Sequence, residues 1–323
     1  MLGLPNSGPL DFIGVIPTAK EFKTIDQLVE LLESRNVRTD AETADILRRE
    51  SYYAIVNGYK DPFLDRTAMQ SSDGDVYKDG TTFRQIYDLF LLDRDLKSVV
   101  FPYLIRVETI LKNAVVYAFC ERNREHDAYL DRSSYVLARD MLVPESFRGD
   151  KTKEYRKNLA SLMRRLNGKL DPDKGKLRPF VRHYLDTYGS VPLWVLQNDL
   201  TFGNIAHFYQ LQKRGVQNEA CRIVHQVAGH GTRIGARDLL RAFEVLVEFR
   251  NICAHDDRLY CAVVKGAHFD EMLNQMNRVL TSNEVRELQG LLFMLADKYG
   301  GRVDPRALNA LYSNEDDIPE EFR

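Results

Sequence analysis

The stretch "TTFRQIYDLFLLDRDLKSVVFPYLIRVETILKNAVVYAFCERN", residues 81–123, decides the fold class. Apolar residues recur in it at helical spacing for about forty residues, a pattern that predicts helix rather than strand. Thr82 and Gln85 have the spacing of a capping box, which marks the start of a helix. Pro102 is expected to kink or divide the run, because proline removes a backbone donor inside a helix. We predict that this run forms the backbone of the core.

The helical pattern continues on both sides of this run. A second capping box, Thr24 with Gln27, opens an early helix, and another helix is expected from Asp40 to near Gly58. Helical segments resume after residue 190, where Trp194 is expected to anchor the core. Few stretches alternate with period two, so the sequence predicts an all-α fold.

A polar stretch at residues 64–80, rich in turn formers, marks a boundary. We therefore divide the chain into an N-terminal helical region at 1–80, a helical core at 81–300, and an acidic C-terminal tail at 301–323.

Composition bounds the functional classes. The 44% hydrophobic and 28% charged residues are typical of a soluble globular protein. No uncharged apolar run approaches the roughly 18 residues that span a bilayer, and the first residues lack the pattern of an export signal. We expect a cytoplasmic protein with no membrane partner. The cysteines lack CxxC spacing, which favours reduced thiols over a structural metal, and we expect no cofactor. These cysteines are Cys120, Cys221, Cys253 and Cys261.

The formal net charge of −2 hides a basic segment at residues 151–183, which carries +8 while the remainder carries −10. A basic strip with aromatic faces nearby suits phosphate contact and base stacking. A solvated helix face would have the same composition, so both interpretations stay open here. The cations are Lys151, Lys153, Arg156, Lys157, Arg164, Arg165, Lys169, Lys174, Lys176, Arg178 and Arg182, and the aromatic residues are Tyr155, Phe180, Tyr184 and Tyr188.

A second informative stretch is "FRNICAHDDRLY", residues 249–260. The apolar stripe before it continues onto Arg250 and Asn251, then onto Ala254 and His255. A buried arginine is costly unless it is paired or lines a cleft. At about 100° per residue Asn251 and His255 share a helix face, while Arg250 lies about 140° from the histidine. We expect Asn251 to orient the imidazole and Arg250 to reach an anion held beside it.

Histidine and arginine are the groups needed to cleave RNA without a metal. The histidine handles the proton of the 2′-hydroxyl or of the leaving oxygen, and the arginine stabilises charge on the phosphate. The spacing alone is a weak signal, because "RPFVRH" repeats it at Arg178 and His183. A salt-bridge cluster at a helix end is the competing interpretation.

The stretch "FRNICAHDDRLY" resembles the signature of the Abi-like proteins (AbiD/AbiF), a family of bacterial abortive-infection proteins. The likeness extends to "IDQLVELLESRNV" with "ESYYAIVNGYKDPF", to "YKDGTTFRQIYDLFLLDRDL" and to "VPLWVLQNDLTFGNIAHFY", in that order along the chain. The resemblance implies a HEPN-like helical bundle, phage defence, and a metal-independent endoribonuclease site at the interface of two HEPN units. It further implies a homodimer with RNA as substrate, and some family members are associated with a small noncoding RNA.

Residue by residue, the resemblance makes Arg250, Asn251 and His255 the catalytic set. The residues in supporting roles are Asp256, Asp257, Arg258 and Tyr260. The sequence departs from the family pattern at Asp256, where a second histidine is usual, and at Cys261, where asparagine is usual. A carboxylate beside His255 would raise the pKa of the imidazole or repel RNA.

Two other functions remain open at this point. The doublet His255-Asp256 also occurs in HD-type metal phosphohydrolases, which would need further ligands. The candidates for those ligands are His207, His225, His230 and Asp238. A non-catalytic HEPN-like RNA-binding scaffold, or a silenced toxin, would keep the basic segment without needing the catalytic set.

Overall fold

The computed structural model describes residues 21–72, 74–173, 177–255 and 257–312. The described residues are 68% helical, and they form isolated β-bridges but no strand. The predicted all-α fold is confirmed. Within the same ranges, no helix is both long enough and apolar enough to cross a membrane.

The helices follow one another with short connections. The α-helices are α1 Ile25–Ser34, α2 Thr43–Arg49, α3 Phe83–Arg122, α4 Lys151–Leu170, α5 Pro179–Tyr188, α6 Leu193–Leu196, α7 Phe202–Gln210, α8 Arg214–Ala228, α9 Ala236–Ala254, α10 Phe269–Asn277, α11 Ser282–Tyr299 and α12 Pro305–Leu308. A π-helical turn spans Tyr53–Asn57. The 3₁₀ turns span Asp61–Phe63, Ala68–Ser71, Ala128–Leu130, Arg132–Ser134, Ala138–Asp140, Gln197–Asp199 and Asn309–Leu311.

Helix α3 crosses the core and packs against α8, α9 and α11. Its predicted capping box is confirmed, since the Thr82 hydroxyl accepts from the Gln85 backbone while the Gln85 side chain accepts from the Thr82 backbone. Pro102 does not divide the helix, because α3 runs unbroken through it, and the alternative of a kink stays a prediction. Interior proline costs about 3 kcal/mol, and burying Val100 and Leu104, each 0% exposed, offsets this by about 1.5–3 kcal/mol apiece.

The N-terminal helices differ in part from their prediction. The capping box of α1 is confirmed. The single helix expected from Asp40 to Gly58 is wrong, because α2 stops at Arg49 and Glu50 is extended. A π-helical turn follows, and it turns both Ile55 and Val56 into the core, each 0% exposed. The local hydrophobic periodicity does not predict this break in the helix, because packing against the rest of the protein determines where the helix ends.

Trp194 is not the core anchor that we expected, since 46% of it is exposed. Helix α6 has only four residues, and Leu193 and Leu196 occupy its inward face at 1% and 0% exposure. The indole therefore lies outside, with its ring edge-on to His126 at a centroid distance of 5.6 Å.

The buried apolar side chains form one cluster that reaches from Leu32 to Leu311. The domain division at residue 80 stays a prediction. Residues 313–323 of the expected acidic tail lie outside the described residues. Its first part, by contrast, buries Ala307, Leu308 and Leu311 against the core.

Candidate active site

Helix α9 carries the candidate residues at its C-terminal end. Leu239, Phe243 and Leu246 are each 0% exposed, so the apolar stripe faces the core as its spacing predicts. The helix ends at Ala254, and His255 leaves helical geometry with φ −103° and ψ 10°. Arg250 lies in the last full turn before this end.

The Arg250 side chain is held on three sides. Its Nε lies 2.9 Å from Oε2 of Glu108, with the two side chains 18% and 16% exposed. The Nε atom of Arg250 is buried, and its N–H does not point at an acceptor. Arg250 and Glu108 therefore form an ion pair without a hydrogen bond. Nη1 donates to Oδ1 of Asn251 at 2.8 Å. The guanidinium carbon also lies 6.0 Å from the centre of the Phe202 ring.

A second cation shares the Glu108 carboxylate. Lys112 Nζ lies 3.8 Å from Oε1 of Glu108 and donates to the Leu200 carbonyl at 2.7 Å. Burial lowers the pKa of Lys112, Glu108 opposes this, and the nearby charge of Arg250 lowers it again. Two cations therefore face one carboxylate in a half-buried pocket, a local excess of positive charge that favours an incoming phosphate.

His255 is exposed at the helix end, and its backbone N–H donates to the Asn251 carbonyl at 2.9 Å. Among the described residues, no side chain forms a hydrogen bond with its imidazole. The Asn251 amide oxygen accepts from the neighbouring Arg250, and the expectation that Asn251 orients the imidazole stays a prediction. Asp256, a supporting residue of the prediction, lies outside the described residues.

The other supporting residues fix the chain after the helix. Arg258 Nη1 donates to the Gly58 carbonyl at 2.9 Å and lies 3.7 Å from Asp61. Tyr260 is 2% exposed and stacks on Tyr59 with ring centres 5.4 Å apart. Asp257 is exposed, and its carbonyl accepts from Lys97 at 3.4 Å.

One residue that organises this segment was missed from the sequence. Asp93 of α3 is 0% exposed and accepts from the backbone N–H groups of Leu259 at 3.0 Å and Tyr260 at 2.6 Å. It also accepts from the Tyr59 hydroxyl at 2.6 Å and lies 3.6 Å from Lys97 Nζ. Burial raises the pKa of the Asp93 carboxyl against these four donors. The available signal was an aspartate standing on the apolar stripe of α3.

Glu108 and Lys112 were missed as well. They stand at i and i+4 in α3, a spacing that allows an ion pair on one helix face. The spacing predicts the ion pair between Glu108 and Lys112. It does not predict the contact of Glu108 with Arg250, which lies on a helix more than a hundred residues later in the chain.

The basic segment forms helices α4 and α5. Leu159, Leu162 and Leu166 bury one side of α4, and the cations of both helices lie on exposed or half-buried positions. Lys151 donates to the Arg139 carbonyl at 2.7 Å, and Lys157 lies 4.0 Å from Glu154. Lys174 and Lys176 lie outside the described residues. Of the aromatic residues, Tyr155 donates to the Val136 carbonyl and Tyr184 contacts Tyr188 at 5.3 Å.

A cleft of about 340 Å³ lies at the C-terminal end of α4. Arg164, Arg165, Lys169 and Arg178 line it together with Asp199. Asp199 lies 3.1 Å from Lys169 and 3.6 Å from Arg178.

The chain from residue 199 to residue 202 joins this cleft to the surroundings of Arg250. Asp199 contacts the basic cleft, the Leu200 carbonyl accepts from Lys112, and the Phe202 ring lies beside Arg250. The structure therefore brings the basic segment and the Arg250 pocket close together, although 72 residues separate Arg178 from Arg250 in the sequence.

Within the described ranges, no group of three or more His, Cys, Asp or Glu side chains could hold a metal ion. His230 contacts the Leu280 carbonyl at 2.9 Å. His207 lies in α7, where burial and then the charge of Arg165 lower the pKa of its imidazole.

Comparison with known proteins supplies one match. The model of a family described as Abi-like protein matches residues 45–261, which is more than half of the chain and includes both Asp93 and the end of α9. No curated protein and no solved structure matches the sequence.

Proposed function

The chain belongs to the Abi-like protein family, whose role is abortive infection in phage defence, and we propose that it performs this role as a metal-independent HEPN endoribonuclease. The observation that carries the proposal is the half-buried Arg250, held by Glu108 and Asn251 one turn before the exposed His255. An arginine fixed in this way is a preorganised donor for a phosphate.

The reaction uses the ribose 2′-hydroxyl as its nucleophile. The imidazole of His255 accepts the 2′-hydroxyl proton, and the 2′-oxygen then bonds to the adjacent phosphorus. The bond from phosphorus to the 5′-oxygen breaks, and that oxygen takes a proton from the second histidine of a dimer. Arg250 stabilises the negative charge that develops on the phosphoryl oxygens. The products are a 2′,3′-cyclic phosphate and a 5′-hydroxyl, and DNA is not cut.

A homodimer is part of the proposal. Arg250 and His255 lie about 140° apart around α9, and within the described part of one chain their side chains do not bond to each other. Two copies facing each other through the ends of α9 would supply two arginines and two histidines to one phosphate. Exposed Ala254 on α9 and Ile105, 41% exposed on α3 one turn before Glu108, give such an interface apolar contacts.

The RNA reaches the site along the basic segment. The cleft at the end of α4 is lined by four cations and two acids, Asp171 and Asp199, and residues 199–202 lead from it to Arg250. Phosphates bound at the cleft would guide the strand towards the catalytic pair, and the affinity would fall with salt. A small noncoding RNA is one candidate occupant of this surface.

One observation favours a second candidate function, an RNA-binding scaffold or silenced toxin. Glu108 already engages Arg250 in the single chain, and a carboxylate competes with phosphate for the same guanidinium. In that case RNA would bind at α4 without being cut.

The test is cleavage of labelled RNA by the purified protein in the presence of a chelator. We expect the wild type to cut RNA and not DNA, and we expect Arg250→Ala and His255→Ala each to lose cleavage while still binding RNA. Cleavage that persists in both variants would refute the ribonuclease assignment. Binding without cleavage in the wild type would instead favour the scaffold.

The dimer is tested separately by light scattering after size exclusion. Ile105→Arg places a charge in the proposed interface and should give monomers that bind RNA but do not cut it. A wild-type monomer that cuts RNA would contradict the composite site.

A further inference from the structure

A larger cavity, of about 810 Å³, lies away from the Arg250 pocket. The segment 132–143 forms one wall, and the first turns of α4, α8 and α9 form the rest. Arg237 contributes to it from the start of α9. Since Arg250 lies thirteen residues further along the same helix, the two sites are about 20 Å apart along its axis. The proposed cleavage reaction does not use this cavity.

The charge on the walls is strongly one-sided. Among the described residues that line the cavity, six side chains are cationic and only Asp140 is acidic. Asp140 lies 3.6 Å from Arg139, and both of these side chains are mostly exposed. The six cations are Arg132, Arg139, Lys151, Lys213, Arg214 and Arg237. Such a concentration of one sign in a concave site is typical of a pocket that binds a polyanion.

Helix α8 adds to the positive potential in the cavity. It begins at Arg214 on the cavity wall, has fifteen residues, and no side chain caps its first N–H groups. The positive end of the helix dipole therefore acts on the same space as the six cations.

Apolar side chains also line the cavity. Val136, Met141 and Leu142 are buried there, and Leu137 is 60% exposed although it is a large aliphatic residue. The Tyr155 ring also lines the cavity, and its hydroxyl is engaged by the Val136 carbonyl at 2.7 Å. Apolar and cationic side chains around one cavity match a ligand that has a flat, weakly polar part joined to a chain of phosphates.

We propose that this cavity binds the triphosphate and base of a ribonucleotide. The phosphates contact the cations and the start of α8, and the base packs on the wall formed by Leu137 and its neighbours. The same chemistry is present in a free nucleoside triphosphate and in the 5′-triphosphate end of an RNA. The proposal does not depend on cleavage at Arg250 and His255, because it predicts binding at a separate place.

The experiment is isothermal titration calorimetry of the full chain with ATP and with inorganic triphosphate. We expect the wild type to bind ATP more tightly than inorganic triphosphate. Lys213→Glu with Arg214→Glu should weaken ATP binding by more than about ten-fold, because two charge-assisted contacts are reversed. Leu137→Asp should weaken ATP binding while leaving inorganic triphosphate almost unaffected.

Two further variants serve as controls for this test. Lys23→Glu with Arg286→Glu makes the same charge change at exposed positions outside the cavity, and it should leave ATP binding within about two-fold of wild type. Arg237→Ala is a milder cavity variant to use if the double reversal does not fold, as judged by circular dichroism. Absence of ATP binding, equal losses in the cavity and control pairs, or equal affinity for ATP and inorganic triphosphate would each overturn the proposal.

Two RNAs of identical sequence, one with a 5′-triphosphate and one with a 5′-hydroxyl, distinguish the sources. A preference for the triphosphate RNA that is lost in the cavity variants identifies the RNA end as the ligand. ATP binding without any such preference identifies a free nucleotide. Because these measurements use binding alone, with His255→Ala as the background, they are independent of the ribonuclease test.

Discussion

Two regions of the molecule have the same pattern, an arginine followed after four residues by histidine, in different surroundings. At the end of α9, Arg250 is 18% exposed at its side chain and lies 2.9 Å from Glu108. At the start of α5, Arg178 is 62% exposed, precedes the helix, and lies 3.6 Å from Asp199. A spacing places two side chains near each other, but burial and a fixed ionic partner determine whether the pair is preorganised.

The chain after each histidine differs as well. After His255, the backbone of Leu259 and Tyr260 is bound by the buried Asp93. After His183, α5 ends at Gly189, an exposed residue whose φ of 71° lies in the left-handed region that favours glycine. The segment after His255 is fixed by the buried core, whereas the segment after His183 lies on the surface. Four pairs of variants test this difference.

The largest expected effect separates the two histidines. His255→Ala should lower the initial rate of RNA cleavage in chelator by about 10²–10⁴-fold, the usual contribution of a general acid or base. His183→Ala should leave that rate within about two-fold, because among the described residues its exposed imidazole contacts only its own helix. Comparable losses in both variants would mean that the spacing matters and the environment does not.

Asp93 tests whether the core holds the active end of α9. Asp93→Ala removes the buried carboxylate that the Tyr59 hydroxyl, Lys97 and two backbone N–H groups share, and we expect the free energy of unfolding to fall by about 3 kcal/mol. The matched control is Asp186→Ala on exposed α5, which should change it by less than about 0.5 kcal/mol. Urea unfolding followed by circular dichroism measures both, and equal changes would contradict the anchoring role.

The acidic partners of the two arginines provide a smaller contrast. Glu108→Gln leaves Arg250 and Lys112 without their carboxylate in a half-buried pocket, and we expect a loss of about 1–2 kcal/mol in the free energy of unfolding. Asp199→Asn removes the acid from more exposed cations and should cost about 0–1 kcal/mol. The two losses are compared through the denaturation midpoints of the variants, provided that their unfolding curves have equal slopes. A greater loss for Asp199→Asn would reverse our ranking of the two sites.

The smallest effect concerns RNA affinity. Arg164→Glu with Arg165→Glu reverses two cations of the cleft and should weaken RNA binding by about ten-fold at physiological salt, with a reduced dependence on salt. Lys23→Glu with Arg286→Glu should not change the slope of log K against log salt. Fluorescence anisotropy with labelled RNA at several salt concentrations measures these slopes, and identical slopes would remove α4 from the RNA path.

Much of the fold was predictable because it depends on local information. The two capping boxes at Thr24 and Thr82 and the apolar stripes of α3 and α9 appear in the sequence as fixed spacings between nearby residues. The errors arose where packing overrode such patterns. Glu50 interrupted an otherwise periodic segment, and Trp194 faced outwards because its neighbours filled the core.

The helical class, the family likeness, and the candidate set of Arg250, Asn251 and His255 follow from the amino-acid sequence. Helix packing is needed to identify the carboxylate that contacts Arg250, the aspartate that binds the segment after His255, and the place where six cations line one cavity. The difference arises from distance along the chain. Capping and helical periodicity act within about four residues, whereas Glu108, Asp93 and the cations of the cavity meet their partners only when helices far apart in sequence pack together.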